Sequence, residues 1–221
     1  MSRNLTSVQF SNAVNAFNFC EQIGCPLTVP MNINWGFGKS PDQALADQHR
    51  FLKLAGQWLT YHGIPQAWMW AMEYPGYRLH SHVNLHLPDD PALYRAFRTK
   101  TFSWLPAEAD LTFSPNKYTG KPQFMERMED RQRRARYACK AVGSDATIRM
   151  PDRTQRSIAE LLDLSELIER KGDQGELPCK RFGVSRSIDK AARAKAGYTD
   201  TQDPFDWIAI LPPPEQHRVA A

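Results

Sequence analysis

The chain has no long hydrophobic run. Its longest uninterrupted apolar stretch is Ala67 to Met72, far short of the roughly 20 residues that a bilayer-crossing helix needs. Cysteine is scarce: Cys20, Cys25, Cys139 and Cys179 form no CxxC pair and are too few for a disulfide scaffold. Buried free thiols in a reducing compartment are the expectation. The opening MSRNLTSVQF lacks the apolar core of a secretory signal, so the expected location is cytoplasmic, without a membrane partner. No internal repeat or long low-complexity segment is visible. A phosphate-binding P-loop is missing too. Gly36-Phe37-Gly38-Lys39-Ser40 imitates the end of that motif, but Ile33 stands where its first glycine is required. No ATPase engine is expected.

What is present is 221 residues, 42% hydrophobic and 24% charged, the composition of one globular domain with a substantial core and an appendage. The net charge is +4, by itself a weak hint of an anionic partner. Its distribution says more. Between Glu126 and Lys140 lie six Lys/Arg against three acids, and between Arg170 and Lys195 eight against three.

Punctuation by caps, prolines and glycines predicts the elements. Ser11 is expected to cap a helix running to about Ile23, ended by Gly24 and Pro26. Leu27 to Trp35 reads as a strand, with Pro30 marking an edge or a bulge. Ser40 and Pro41 open a second helix that stops at Gly63. Strands follow at about Gln66–Tyr74 and Leu79–Leu87, joined through Pro75 and Gly76. A helix from Pro91 to about Trp104, a short strand at Leu111–Phe113 and a charged helix from about Phe124 to Val142 come next. Beyond them are expected a helix around Thr154–Arg170, a basic segment, and an extended tail with Pro212-Pro213-Pro214. Interspersed helices and antiparallel strands make the fold class α+β.

The most informative stretch is Leu79-His80-Ser81-His82-Val83-Asn84-Leu85-His86-Leu87. Side chains alternate across a strand, so His80, His82, Asn84 and His86 share one face while Leu79, Ser81, Val83, Leu85 and Leu87 share the other. Two same-face imidazoles, about 7 Å apart along a strand, can converge on one metal ion. Glu73, across the turn on the preceding strand, can supply a carboxylate. Two neutral imidazoles and one carboxylate leave positions open for substrate and water. A lone histidine is more often a hydrogen-bonded part of a polar sheet face; three of six histidines within this segment, beside a glutamate, favour the metal.

The second signal is Arg133-Arg134-Ala135-Arg136-Tyr137-Ala138-Cys139-Lys140. On a helix Tyr137 and Lys140 share a face, with Arg133 and Arg134 one turn earlier. Cations around a tyrosine favour its phenolate, which suits a nucleophile, and they also suit nucleic-acid phosphates. The plain alternative is a solvated basic face with an anchoring tyrosine.

Together, Glu73, His80-Ser81-His82 and Tyr137-Ala138-Cys139-Lys140 resemble the motifs of the HUH endonucleases. More narrowly, they resemble the replication initiator (Rep) proteins of rolling-circle plasmids and single-stranded DNA phages. Those proteins carry a His-hydrophobe-His strand with a nearby third ligand, then a YxxK motif whose tyrosine is the nucleophile. Leu27 to Asn32 corresponds to their first, more variable motif, and the likeness covers about residues 10–145. Ser81 departs from the family's bulky hydrophobe and is expected to weaken packing on the core side. A register using His82 and His86 competes, with Asn84 or His86 contacting the metal's hydration shell or DNA. Tyr94 and Tyr118 are fallback nucleophiles.

The resemblance implies an antiparallel sheet of about five strands flanked by helices in a nicking domain at 1–145. Residues 146–221 would form a helical and basic extension with the Pro-rich tail. It implies a single-stranded DNA endonuclease and strand transferase that initiates rolling-circle replication at an origin, with Mg²⁺ or Mn²⁺ held by Glu73, His80 and His82. Tyr137 would form a 5′-phosphotyrosine link and Lys140 would orient the phosphate. Arg133, Arg134 and Arg136 would contact DNA, and a host helicase and polymerase would complete replication. Outside the resemblance, the basic stretch Cys179 to Arg186 with its embedded Phe182 reads either as a DNA contact through Lys180, Arg181 and Arg186 or as a solvated basic loop docking through Phe182 and Val184. The competing expectations are a non-enzymatic nucleic-acid-binding domain, or a transposase or conjugative relaxase on the same fold.

Overall fold

Capping chemistry sets where the helices begin. Thr6, not Ser11, caps α1 (Ser7–Gln22), because Gln9 returns a hydrogen bond to the cap backbone and completes a capping box. Ser40 does the same with Gln43 for α2 (Pro41–Tyr61), with Pro41 in the first turn. Asp90 accepts from the Ala92 and Leu93 amides to start α3 (Pro91–Phe102). The computed structural model describes residues 5–74, 78–113, 128–139, 147–149, 153–158, 177 and 180–200. No helix among the described residues is long and apolar enough to cross a membrane.

The strands are β1 (Val29–Phe37), β2 (Trp68–Glu73), β3 (Arg78–Leu85), β4 (Asp110–Phe113), the small pair β5 (Thr147–Arg149) and β6 (Gln155–Ser157), and β7 (Phe182–Val184). Five of them form one sheet in the order β4-β1-β3-β2-β7, every neighbouring pair antiparallel. The α+β expectation holds. Two elements correct the sequence reading. The helix expected to start at Thr154 gives way at Gln155–Ser157 to β6, which pairs with β5; the rest of that stretch, and the Pro-rich tail, lie outside the described residues. Within the basic segment, Phe182–Val184 contributes the sheet's fifth strand, which sequence reading did not assign.

Pro30 sits where its missing N–H costs least. It pairs with Asn84 of β3, whereas β4 reaches only Met31 to Asn34 on the other side. The bulge lies further on, between Asn34 and Phe37. There Gly36 takes φ +93, and a Cβ would meet the Glu108 carbonyl at 2.9 Å.

Each sheet face has its own core. On one, Val29, Met31, Ile33, Trp35, Met72, Val83 and Leu85 pack under α2 and α3. On the other, Met69, Ala71 and Phe182 pack under α1 and α4 (Met128–Ala138). A short α5 (Lys190–Lys195) closes this side, and its buried Arg193 bonds the Ile188 carbonyl, Asn12 and Asp200. Gly183 lets β7 approach: a Cβ there would meet the Trp70 indole at 2.7 Å. Gly183→Ala is therefore expected to cost about 1–3 kcal/mol by overpacking, read as a lower denaturant midpoint.

Candidate metal centre

The β2–β3 register places Glu73 directly opposite His80 and Ala71 opposite His82. Cross-strand partners share a face, so the carboxylate meets the histidine row, and the small Ala71 leaves room for it to reach both rings. Glu73 Oε2 lies 2.8 Å from His80 Nε2 and 3.3 Å from His82 Nε2. One ligand atom from each of the three residues lies within 4.8 Å of the others. Exposure is graded: the Glu73 side chain is 0% exposed, His82 9% and His80 24%. The carboxylate thus forms the floor and His80 the open rim.

Sequence reasoning missed Asn32 as a member of this centre. It pairs with His82 across β1 and β3, and its Oδ1 stands 2.5 Å from His82 Nδ1. An amide oxygen can only accept, so Nδ1 carries the proton and the Nε2 lone pair faces Glu73 and a metal. Asn32 has the right strand parity in the sequence, but its partner is 50 residues away, and only pairing reveals it.

Ser81 is the second surprise. It does not leave a packing defect; its Oγ accepts the Trp35 indole N–H at 2.8 Å inside the core. The bulky hydrophobe expected there would orphan that donor. Ser81→Ala should cost about 1–3 kcal/mol, measurable as a lower melting temperature.

Helix α4 brings Tyr137 to the same spot. Its ring meets the His82 ring edge to face, with centroids 5.1 Å apart at 83°. Arg131 holds the helix in place through Nε and Nη2, which donate to the two Glu21 carboxylate oxygens of α1 at 2.7 and 2.6 Å. Arg134 is half-buried on the same helix. Lys140, and the side chains of Arg133 and Arg136, lie outside the described residues.

The remaining expectations divide. Arg181 is corrected: it is fully buried, with its Nη1 directed at the Met72 carbonyl, so it cannot meet a DNA backbone in this structure. Lys180 and Arg186 are exposed. Lys180 lies near His49 of α2, where its charge adds to burial in holding that imidazole below its ordinary range. Tyr94 packs against Phe113 in the opposite layer, and Tyr118 lies outside the described residues. Asn84 and His86 are buried, and neither belongs to the only group with metal-ligand spacing among the described residues.

His86 is instead a structural histidine. Its Nδ1–H donates to the Pro26 carbonyl at 2.8 Å. Burial holds its pKa below the ordinary value of 6.5, against the opposing effect of that hydrogen bond. The unfolded chain therefore binds this proton more readily. Stability from the neutral ring is present above about pH 6.5 and is lost as pH falls below it toward the folded value. The melting temperature should drop between about pH 7 and pH 5, and less steeply in His86→Gln.

Comparison with protein-family models, with curated proteins and with solved structures returned no match. The geometry therefore carries the functional argument. Two imidazole nitrogens and a carboxylate oxygen, closed on one side and open on the other, suit a divalent cation that keeps coordination positions free.

Proposed function

We propose that the chain is a metal-dependent single-stranded DNA nickase and strand transferase of the HUH type, acting in rolling-circle replication. One observation supports this above all: the two-His, one-Glu donor set and the tyrosine of the YxxK sequence meet at one place on the sheet. The donor chemistry fits, so Glu73, His80 and His82 would hold Mg²⁺ or Mn²⁺. When bound, the ion would supply electrophilic assistance to a scissile phosphate.

The chain's own residues account for the rest. Tyr137 Oη attacks phosphorus, the bond from phosphorus to the 3′ oxygen breaks, and the 5′ phosphate stays on the tyrosine. The released 3′-hydroxyl is a primer for a host polymerase. Covalent capture keeps the phosphoester, so a later strand can rejoin it. Lys140, three residues after Tyr137 in the sequence, would pair with the phosphate as charge develops. Asn32 fixes the His82 tautomer, and exposed Lys180 and Arg186 are available to the DNA backbone. Strand separation falls to a host helicase. Transposition or conjugation would use the same chemistry on different DNA ends.

A second reading has its own observation. Glu73 Oε2 stands at hydrogen-bond distance, 2.8 Å, from His80 Nε2, as it would in a purely structural cluster. Incubation with a labelled hairpin oligonucleotide and Mn²⁺ separates the two. The nickase gives an SDS-resistant protein–DNA adduct that EDTA suppresses, and the structural cluster gives none.

A further inference from the structure

We propose that the groove between α2 and α3 is a second nucleic-acid contact, in which a single-stranded segment stacks a base on Trp58 and sets its phosphates on Arg95 and Lys100. It lies on the face of the sheet opposite Glu73, since α2 and α3 pack on the Val83 and Leu85 side. It therefore cannot be part of the metal centre. The choice of nucleic acid as occupant rests on the function proposed above; the site itself rests on three separate observations.

The first is charge. No Asp or Glu occurs between Gln48 and Met72, nor between Pro91 and Ala107. The same two segments carry Arg50, Lys53, Arg95, Arg98 and Lys100, all exposed. The second half of α2 and the whole of α3 thus present cations with no intervening carboxylate, the acids of α2, Asp42 and Asp47, lying in its first two turns. Such a face favours a polyanion and draws it in over a distance set by salt.

The second is shape. A shallow, open groove of about 540 Å³ is lined by Trp58 of α2 and by Arg95, Ala96, Thr99 and Lys100 of α3 with its C-cap Ser103.

The third is the aromatic set. Trp58 is fixed by the edge of Phe97 at 5.2 Å and by the His62 ring at 4.0 Å. Tyr61 stands against His62 at 5.1 Å and is 85% exposed. An acidic peptide would use the cations but has no need of a rigid indole beside them. Unpaired bases do, because every base has a face to stack.

The test is fluorescence anisotropy of a labelled oligo-dT with the full chain in EDTA, so that the metal centre takes no part. Trp58→Ala and the double variant Arg95→Glu/Lys100→Glu should each weaken binding about tenfold. The double variant should also lower the slope of log affinity against log salt by about 1.4, the value for two phosphates on a single strand. The charge variants change only exposed positions, so they read binding even if Trp58→Ala unfolds. Affinity and salt slope unchanged within twofold in the double variant would overturn the proposal. So would equal competition by polyglutamate and oligo-dT. If the adduct assay fails while these variants still lose binding, the nickase reading falls and the groove stands. If the adduct forms and the variants bind normally, the groove alone falls.

Discussion

Glu73→Gln is expected to abolish any response to divalent metal while leaving the apo protein folded. Glutamine keeps the volume of a fully buried side chain but removes the anionic oxygen that faces both histidines. Loss of even an outer partner of a metal ligand costs about 10–100-fold in affinity, so loss of a ligand should cost at least about a hundredfold. The clearest readout is thermal. A ligand present at 100 times its dissociation constant stabilises the folded state by about 2.7 kcal/mol, so wild type should melt higher with excess Mn²⁺. Glu73→Gln should show no such rise. Because a buried carboxylate is costly to keep charged, its apo melting temperature should equal or exceed that of wild type. A metal-induced rise of wild-type size in the variant would show that the ion binds elsewhere.

Tyr137→Phe is expected to remove the proposed covalent capture of DNA. Phenylalanine preserves the edge-to-face contact with His82, and α4 stays anchored by the Arg131–Glu21 pair. Metal binding should persist. Adduct formation should fall below detection, because no other described tyrosine has a ring contact with the histidine pair; Tyr94 packs in the opposite layer. An adduct of wild-type yield in Tyr137→Phe would remove this residue from the reaction.

The candidate site was legible in the sequence where its geometry is local. Strand parity sorts His80 and His82 onto one face, and the short connection after Glu73 brings it back opposite His80. The helices that begin at Pro41 and Pro91 were readable because serine or aspartate precedes a proline. Features that depend on distant pairing were hidden. Asn32 and Trp35 gain their roles from β3 residues 46 to 50 positions away. The strand Phe182–Val184 is three residues long with a glycine in the middle, so neither propensity nor alternation marks it; the Trp70 face it covers does. Arg181 read as a surface cation because arginine is seldom fully buried, and only the packed structure reverses that. The basic face on α2 and α3 was overlooked for a different reason. Its cations are spread over two helices, so neither segment stands out as a charge run.

The most direct test of the nickase reading is mass spectrometry of the protein after incubation with single-stranded hairpin DNA and Mn²⁺. The account predicts a nucleotide-linked peptide whose modified residue is Tyr137, formed only with the divalent ion and not formed when EDTA is present from the start. Contradiction would be the absence of any covalent product under those conditions, or a linkage at Tyr94 or Tyr118 with Tyr137 unmodified.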